Sequence, residues 1–254
     1  MTFALTSILG TAPIVKLEDI LDKCNLDRVR LGIHRFLGYD GKIILSTVSP
    51  DEIIEKLDGK KYAKLINSIK PDAAMVLDYC TYIDHPFALS WYQLFKLVRE
   101  SEELLRRIDI PIFGIIKGVD QYQVDWCLKK MLNLGVNILV VHYKGLNWKP
   151  SIFGRSLFDY LLEKIYDFPY DKRVMLHGRS PLLHIYYRLR HASLSWFLNA
   201  ERGIVYKEGK KVPLYMNTLY ECDCSFCKGR SWRQLIQDIK SMALHNLAQT
   251  IAFS

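Results

Sequence analysis

Near the C-terminus, four side chains that bind metals stand at a spacing typical of a closed zinc site. Cys222, Cys224 and Cys227 form a C-x-C-x-x-C segment, and His245 follows in a helical stretch that starts at about Ser231. Zinc prefers four thiolate and imidazole ligands in its tetrahedral structural sites. The short spacing brings three sulfurs into one turn, and the helix returns the imidazole as a fourth ligand. The sequence therefore predicts a structural Zn²⁺ site rather than three buried thiols and an unrelated histidine.

A second set of polar side chains follows apolar runs earlier in the chain. The residues at these predicted strand ends are His34, Ser46, Asp78, Lys117, His142, His177 and Ser195. In α/β barrels the chemistry lies at the carboxyl ends of the strands. The set therefore predicts a binding pocket, although polar residues also follow strands wherever a chain emerges into water.

Asp78 is the strongest individual candidate in this predicted pocket. It ends the apolar run 73–77, where an unpaired charge would be costly, although it could also cap the helix that follows. Cys80 lies two residues further on. Lys117 and Gly118 end the next apolar run, and glycine allows a ligand to approach the backbone closely.

The elements that would position these groups alternate between short apolar runs and longer helical stretches. The candidate strands are Phe3–Leu9, Val29–His34, Ile43–Thr47, Ala73–Asp78, Ile112–Lys117, Ile138–His142, Arg173–His177 and Ala192–Trp196. Helices are predicted between several of them, as at Pro86–Arg107 and Asp120–Leu134. The alternation predicts an α/β protein with an irregular (β/α)8 TIM barrel, and a doubly wound sheet is the alternative. The predicted domains are a barrel over 1–202 and a zinc-binding appendage over 203–254.

Composition narrows the class of protein further. The chain has 254 residues, half of them apolar, which is enough for one large domain or two small ones. The net charge of +8 favours an anionic partner such as nucleic acid. Three of the six cysteines lie outside the cluster and are scattered, which is typical of a reducing compartment. Because the N-terminus has no basic region and no apolar run reaches the length of a membrane span, we expect a cytoplasmic protein without a membrane partner.

Several segments, in order along most of the chain, resemble the tRNA-guanine transglycosylase family, the queuine and archaeosine tRNA-ribosyltransferases. The matching segments are Gly10–Lys16, Phe36–Gly41, Ser49–Glu52, Leu77–Thr81, Phe113–Gly118, Asn199–Gly203 and Cys222–Cys227 with His245–Leu247. Leu77–Thr81 is similar to the family's D-x-C-T pocket motif, and Phe113–Gly118 is similar to its F-G-I-x-Q-G motif. The resemblance implies a zinc-bearing (β/α)8 barrel that exchanges a guanine base in tRNA for a 7-deazaguanine.

The catalytic residues of that family are not matched in this chain. The family uses two aspartates, one as a general acid and base and one as a nucleophile. Ser46 stands where the first belongs, and the stretch His191–Ser195, where the second belongs, contains no Asp or Glu. Serine is a poor substitute for a carboxylate that must form and release a glycosyl ester. Whether the chain is an enzyme therefore stays open at the level of sequence.

The resemblance also implies roles for the residues of the predicted pocket. Asp78 would bind the Watson–Crick edge of a guanine-like base, with Cys80, Lys117 and Gly118 beside it. Lys117 replaces the family's usual glutamine, and two histidines stand near positions where the family has glycines. These two residues are His142 and His177. Together they predict a pocket that is narrower than the family's or that holds something else.

Three functions follow from these observations. The first is a non-catalytic or divergent transglycosylase-like subunit that binds tRNA or DNA, with tRNA favoured. It would act as a homodimer or with a catalytic transglycosylase subunit. Its phosphate contacts would come from Lys228, Arg230, Arg233 and Lys240. The second is an active base-exchanging glycosyltransferase with relocated groups, such as Asp78 as the nucleophile. The third is a barrel hydrolase with a second, catalytic metal.

Overall fold

The fold is taken from a computed structural model of the chain. The residues that the structure describes are 12, 14–21, 27–82, 84–136, 138–142, 156–166, 174–177, 190–192, 199–207, 210–214 and 222–252. The chain divides into two compact units, residues 1–174 and 175–254. In the described part of the chain, no helix is both long enough and apolar enough to cross a membrane.

The first unit alternates strands and helices. Its strands are β1 (Ile14–Lys16), β2 (Ile44–Ser46), β3 (Ala73–Met75), β4 (Ile112–Ile116) and β5 (Ile138–His142). Its helices are α1 (Leu17–Leu21), α2 (Ile33–Leu37), α3 (Asp51–Ile54), α4 (Gly59–Ile69), α5 (Phe87–Leu105), α6 (Gln121–Asn133) and α7 (Leu157–Tyr166). The five strands pair in parallel in chain order.

The central strands are continuous apolar runs, and their residues are buried. All three residues of β3 and all five residues of β4 are buried, as expected for central strands of a parallel sheet. The register pairs Met75 of β3 with Phe113 of β4. Asp78 and Lys117 lie three and four residues beyond that pair, so both belong to the same carboxyl edge of the sheet.

Aspartates start two of the covering helices. Asp58 precedes α4 and accepts a hydrogen bond from the backbone N–H of Lys61 at 2.7 Å. Asp120 precedes α6 and accepts one from the N–H of Gln123 at 2.8 Å. Each bond satisfies a backbone donor that the first turn of a helix leaves without an internal partner. The bounds of α5 and α6 confirm the helices predicted from the sequence.

The remaining elements belong mainly to the second unit. They are β6 (Val174–His177), β7 (Arg190–Ala192), β8 (Ile204–Lys207), β9 (Lys210–Pro213), α8 (Trp232–Gln237) and α9 (Ile239–Ala252). Strands β6 and β7 pair in parallel, whereas β8 and β9 form an antiparallel hairpin.

The prediction of a closed (β/α)8 barrel is wrong. The described parallel strands pair in an open order, β1 to β5 in the first unit and β6 with β7 in the second, so they form no eight-stranded ring. The predicted strand Val29–His34 is helical, since residues 27–29 form a helical turn and α2 begins at Ile33. Both Val29 and Ile33 are fully buried, and their spacing of four is close to the period of a helix. The predicted strand Phe3–Leu9 lies outside the described residues.

Candidate metal centre and strand-end cluster

Three cysteines and one histidine of the second unit form a cluster with their ligand atoms close together. The ligand atoms of Cys222, Cys224, Cys227 and His245 all lie within 4.8 Å of one another. The distances from His245 Nδ1 to the three sulfurs are 3.7, 3.2 and 3.4 Å, in chain order. A tetrahedral zinc ion, with bonds of about 2.3 Å to sulfur and about 2.0 Å to nitrogen, would place sulfur and nitrogen roughly 3.5 Å apart. The four side chains can therefore hold a metal ion, and their spacing is compatible with zinc.

The second ring nitrogen of His245 fixes the orientation of the imidazole. His245 Nε2 lies 2.6 Å from the carbonyl oxygen of Tyr206, which can only accept a hydrogen bond. Nε2 therefore carries the proton and donates it, and Nδ1 presents a lone pair toward the sulfurs. Metal-bound histidines in proteins commonly have such a partner on the other ring nitrogen.

Local turns and caps bring the ligands together. The backbone N–H groups of Cys227 and Lys228 both donate to the carbonyl of Cys224, at 3.0 and 2.9 Å, which folds the C-x-C-x-x-C segment into a tight turn. Gly229 continues the turn with a φ of 75°, a backbone conformation that favours glycine. Ser231 and Gln234 then form a capping box that starts α8.

Asp238 starts α9, the helix that carries His245. It accepts hydrogen bonds from the backbone N–H of Ser241 at 3.0 Å and from the hydroxyl of Ser241 at 2.7 Å. Arg230, from the loop after the cysteines, donates to the same carboxylate at 2.6 Å. The Ser241 donors, with a further contribution from Arg230, lower the pKa of Asp238 to about 2. The cap therefore connects the cysteine loop to the helix that carries the fourth ligand.

Burial favours the metal-binding form of the histidine. It lowers the pKa of His245, so the imidazole is neutral at neutral pH, as a metal ligand must be. Burial and the neighbouring sulfur of Cys224 raise the pKa of Cys227. A bound cation would supply the positive charge that deprotonated sulfurs need in this position.

At the carboxyl edge of the first unit's sheet, Asp78 and Lys117 form a buried ion pair. Lys117 Nζ contacts Asp78 Oδ1, and the side chains are only 13% and 8% exposed. The contact is an ion pair rather than a well-aligned hydrogen bond. Burial by itself lowers the pKa of Lys117, but the neighbouring acidic groups, Asp78 foremost, together outweigh it, so the pKa of Lys117 is raised. The lysine is therefore charged and occupies one oxygen of the carboxylate that was predicted to bind a base.

Two residues of this cluster were missed by sequence reasoning. Asp51, the first residue of α3, accepts hydrogen bonds from the Cys80 thiol and, at 2.9 Å, from the Tyr82 hydroxyl. Burial raises the pKa of Cys80 to about 11, so the side chain is a neutral thiol that donates to Asp51. The position of Asp51 soon after β2 was the available signal, because residues that follow parallel strands meet at one edge of the sheet.

Local contacts account for two other predicted pocket residues. Ser46 is buried at the end of β2, where its hydroxyl oxygen accepts a hydrogen bond from the N–H of Val48 at 3.2 Å. A Cβ on Gly118 would lie 2.7 Å from the backbone nitrogen of Val124 and 2.9 Å from Gln123 Cβ. Close packing against the start of α6 therefore requires glycine there, whether or not a ligand approaches.

One of the three histidines of the predicted pocket does not lie at a strand end. His34 lies in α2, where Nδ1 is 2.9 Å from the carbonyl of Tyr39 and Nε2 is 3.0 Å from Asp72. Asp72 precedes β3, so His34 belongs to the opposite edge of the sheet from Asp78, and its predicted place at a strand end is wrong. His142 ends β5 and His177 ends β6, as predicted, and both are partly exposed. Ser195 lies outside the described residues.

An open parallel sheet with covering helices and a Cys3His cluster define the class of protein: an α/β protein with a site that can hold a metal ion. No protein-family model matches the chain, and no curated protein matches it either.

Proposed function

We propose that this chain is a non-catalytic, transglycosylase-like protein that binds nucleic acid, tRNA above all, and that its Cys3His cluster holds a structural zinc ion. Supporting this proposal, positive charge is concentrated in the unit that carries the cluster. Residues 175–254 contain eleven Lys and Arg against five Asp and Glu, a net charge of +6. Residues 1–174 contain twenty-four against twenty-two, a net charge of only +2.

In the described part of the second unit, positive side chains are exposed to solvent. Eight of them are exposed: Arg202, Lys207, Lys210, Lys211, Lys228, Arg230, Arg233 and Lys240. A basic surface of this kind binds the phosphate backbone largely independently of sequence. Nucleic-acid binding does not require the closed barrel that the resemblance implies, since the charge belongs to the second unit.

Two contacts in the first unit favour a binding role over catalysis. Asp78 is paired with Lys117, so the charge of that carboxylate is compensated within the protein. The Ser46 hydroxyl, at the position of the family's general acid and base, accepts from a neighbouring backbone N–H. Neither group is placed to attack a sugar, because a nucleophile needs an adjacent base or a free carboxylate.

Charge reversal on the β8–β9 hairpin is expected to weaken tRNA binding. Lys210→Glu with Lys211→Glu should raise the dissociation constant at least tenfold in a fluorescence anisotropy titration. The slope of log K against log salt should become shallower by about 1 to 2, since each lost phosphate contact contributes roughly 0.7–0.9. Duplex DNA titrated in parallel shows whether tRNA is preferred.

A matched control carries the same change of charge on the first unit. Lys64→Glu with Lys129→Glu alters two exposed lysines of α4 and α6. This variant should keep most of the affinity and the salt slope of the unaltered protein. Equal losses in both variants would show only a general effect of net charge, and salt-insensitive binding by the unaltered protein would refute the proposal.

The purified, zinc-loaded protein is expected to incorporate no labelled guanine into bulk tRNA or duplex DNA. The reason is that the matched sequence positions supply no catalytic carboxylate, and the two carboxylates at the described strand ends, Asp51 and Asp78, already contact protein side chains. A catalytic transglycosylase assayed in parallel verifies the substrates. Incorporation above background by this chain alone would overturn the non-catalytic assignment and leave nucleic-acid binding in place.

A further inference from the structure

Strand β8 has two different partners on its two edges. On one edge it pairs with β9, and Pro213 stands opposite Ile204. Proline has no N–H to donate, so this pair must be a non-hydrogen-bonded one, and Tyr206 opposite Lys211 is then of the same type. The backbone groups of Ile204 and Tyr206 therefore point away from β9.

Two consecutive side chains of α9 bind these outward-pointing groups. His245 Nε2–H donates to the Tyr206 carbonyl at 2.6 Å, and Asn246 Oδ1 accepts from the Tyr206 N–H at 2.8 Å. Asn246 Nδ2 also donates to the Ile204 carbonyl at 2.9 Å. The side chains of His245 and Asn246 thus take the place that a third strand would have. Both residues are buried, with exposed fractions of 1% and 0%.

The strands supported in this way carry three lysines, and we refer to β8–β9 as the lysine hairpin. Lys207 stands directly opposite Lys210, and Lys211 follows on the same strand. No acidic side chain of the described residues forms an ion pair with any of the three. Like charges opposite each other destabilise a strand pair, and an isolated two-stranded hairpin is marginal in water. The lysine hairpin therefore depends on α9 for its order.

We infer that metal occupancy controls the order of the lysine hairpin, and thereby the affinity of the second unit for a phosphate backbone. His245 contacts both the metal site, through Nδ1, and β8, through Nε2. A metal on Nδ1 holds the imidazole in the tautomer and orientation that donate to Tyr206. Loss of the metal frees the ring to rotate and removes one of the three bonds that hold the edge of β8. The link to affinity rests on the nucleic-acid binding proposed above.

The test measures the effect of losing the metal and the effect of losing the contacts to β8 in separate experiments. Zinc is removed from the full chain in steps with a chelator, and amide hydrogen exchange of the segment 204–213 is measured by mass spectrometry beside tRNA affinity. A zinc-retaining variant, Asn246→Ala, cuts two of the three bonds to β8 without altering a ligand. Gln249→Ala, a half-buried change on the same helix, is its matched control.

The expected result is that exchange in the hairpin accelerates, and tRNA affinity falls, in proportion to the zinc removed. Asn246→Ala should retain one zinc per chain. The exchange rate of the Tyr206 amide and the tRNA dissociation constant should each rise about tenfold or more, because buried backbone groups lose their partners. Gln249→Ala should behave as the unaltered protein. If the zinc-free chain unfolds entirely, Asn246→Ala still tests whether α9 holds the hairpin, and unchanged exchange in that variant would overturn the inference.

The outcomes distinguish this inference from the proposed function. Unchanged hairpin exchange in Asn246→Ala, or after zinc removal from a folded chain, would overturn the coupling. Accelerated exchange with unchanged tRNA affinity would overturn the control of binding while leaving the proposed function intact. Accelerated exchange with no tRNA binding in any state would refute the proposed function and retain the coupling between metal and hairpin.

Discussion

Cys224→Ser is expected to abolish stoichiometric zinc binding and to lower the free energy of unfolding of residues 175–254 by at least about 4 kcal/mol. That magnitude is the stabilisation given by a ligand present at about 1,000 times its dissociation constant. Small zinc domains bind their ion with roughly 10–16 kcal/mol, and much of that energy serves to fold them. The second unit also has buried apolar residues, such as Val205 and Leu244, so part of its stability should survive.

The measurements are zinc per chain, by elemental analysis, and urea unfolding followed by hydrogen exchange in the second unit. Cys127→Ala is the matched control, because Cys127 is a fully buried cysteine of the first unit whose sulfur contacts the Ile115 carbonyl at 3.6 Å. This control should keep its zinc and lose stability only in the first unit. A Cys224→Ser protein with one zinc per chain and an unchanged unfolding midpoint would contradict a structural metal at this site.

The metal cluster could be predicted because its signal is local. Three ligands lie within six residues, and the type of each side chain specifies the chemistry. What could not be predicted is the second role of the histidine. The contacts of His245 and Asn246 with β8 join residues about forty positions apart, and they depend on which edge of the strand β9 leaves unpaired.

The strands were predictable where they are buried on both faces. The apolar runs that became β3, β4 and β5 have no helical periodicity, and their pairing in parallel follows from the helices between them. The run Val29–His34 was wrongly predicted to be a strand, because the apolar pattern of so short a segment does not distinguish a strand from a helix. Closure into a barrel depends on the tilt and stagger of all strands together, which alternation along the chain does not specify.

The residues of the strand-end pocket could be predicted from the sequence, but the ion pair between two of them could not. Sequence placed Asp78 and Lys117 after neighbouring strands, and the structure brings them into contact. An open carboxylate was expected, because no local pattern reveals that a lysine from the next strand neutralises it. The distinction matters for function, since a carboxylate held by an internal cation offers less to a ligand than a free one.

Removing the lysine of this pair is expected to destabilise the first unit strongly. Lys117→Met should lower the free energy of unfolding by about 3–5 kcal/mol in urea titrations, because Asp78 is left as a buried charge without its partner. The double variant Asp78→Asn with Lys117→Met should recover most of that loss, since replacing both members of a buried pair is often neutral. Lys164→Met serves as the control, because its ion pair with Asp125 is 42% and 39% exposed. We expect it to cost less than about 1 kcal/mol.

The double variant also shows whether the pair serves the fold or a site. A double variant as stable as the unaltered protein would mean that the fold does not need the two charges, so tRNA binding by the cluster can be tested without a loss of stability. The tRNA affinity of that variant then shows which of the two units binds the RNA. An unchanged affinity assigns binding to the basic surface of residues 175–254, whereas a loss assigns part of it to the strand-end cluster. A single Lys117→Met variant as stable as the unaltered protein would contradict the buried ion pair itself.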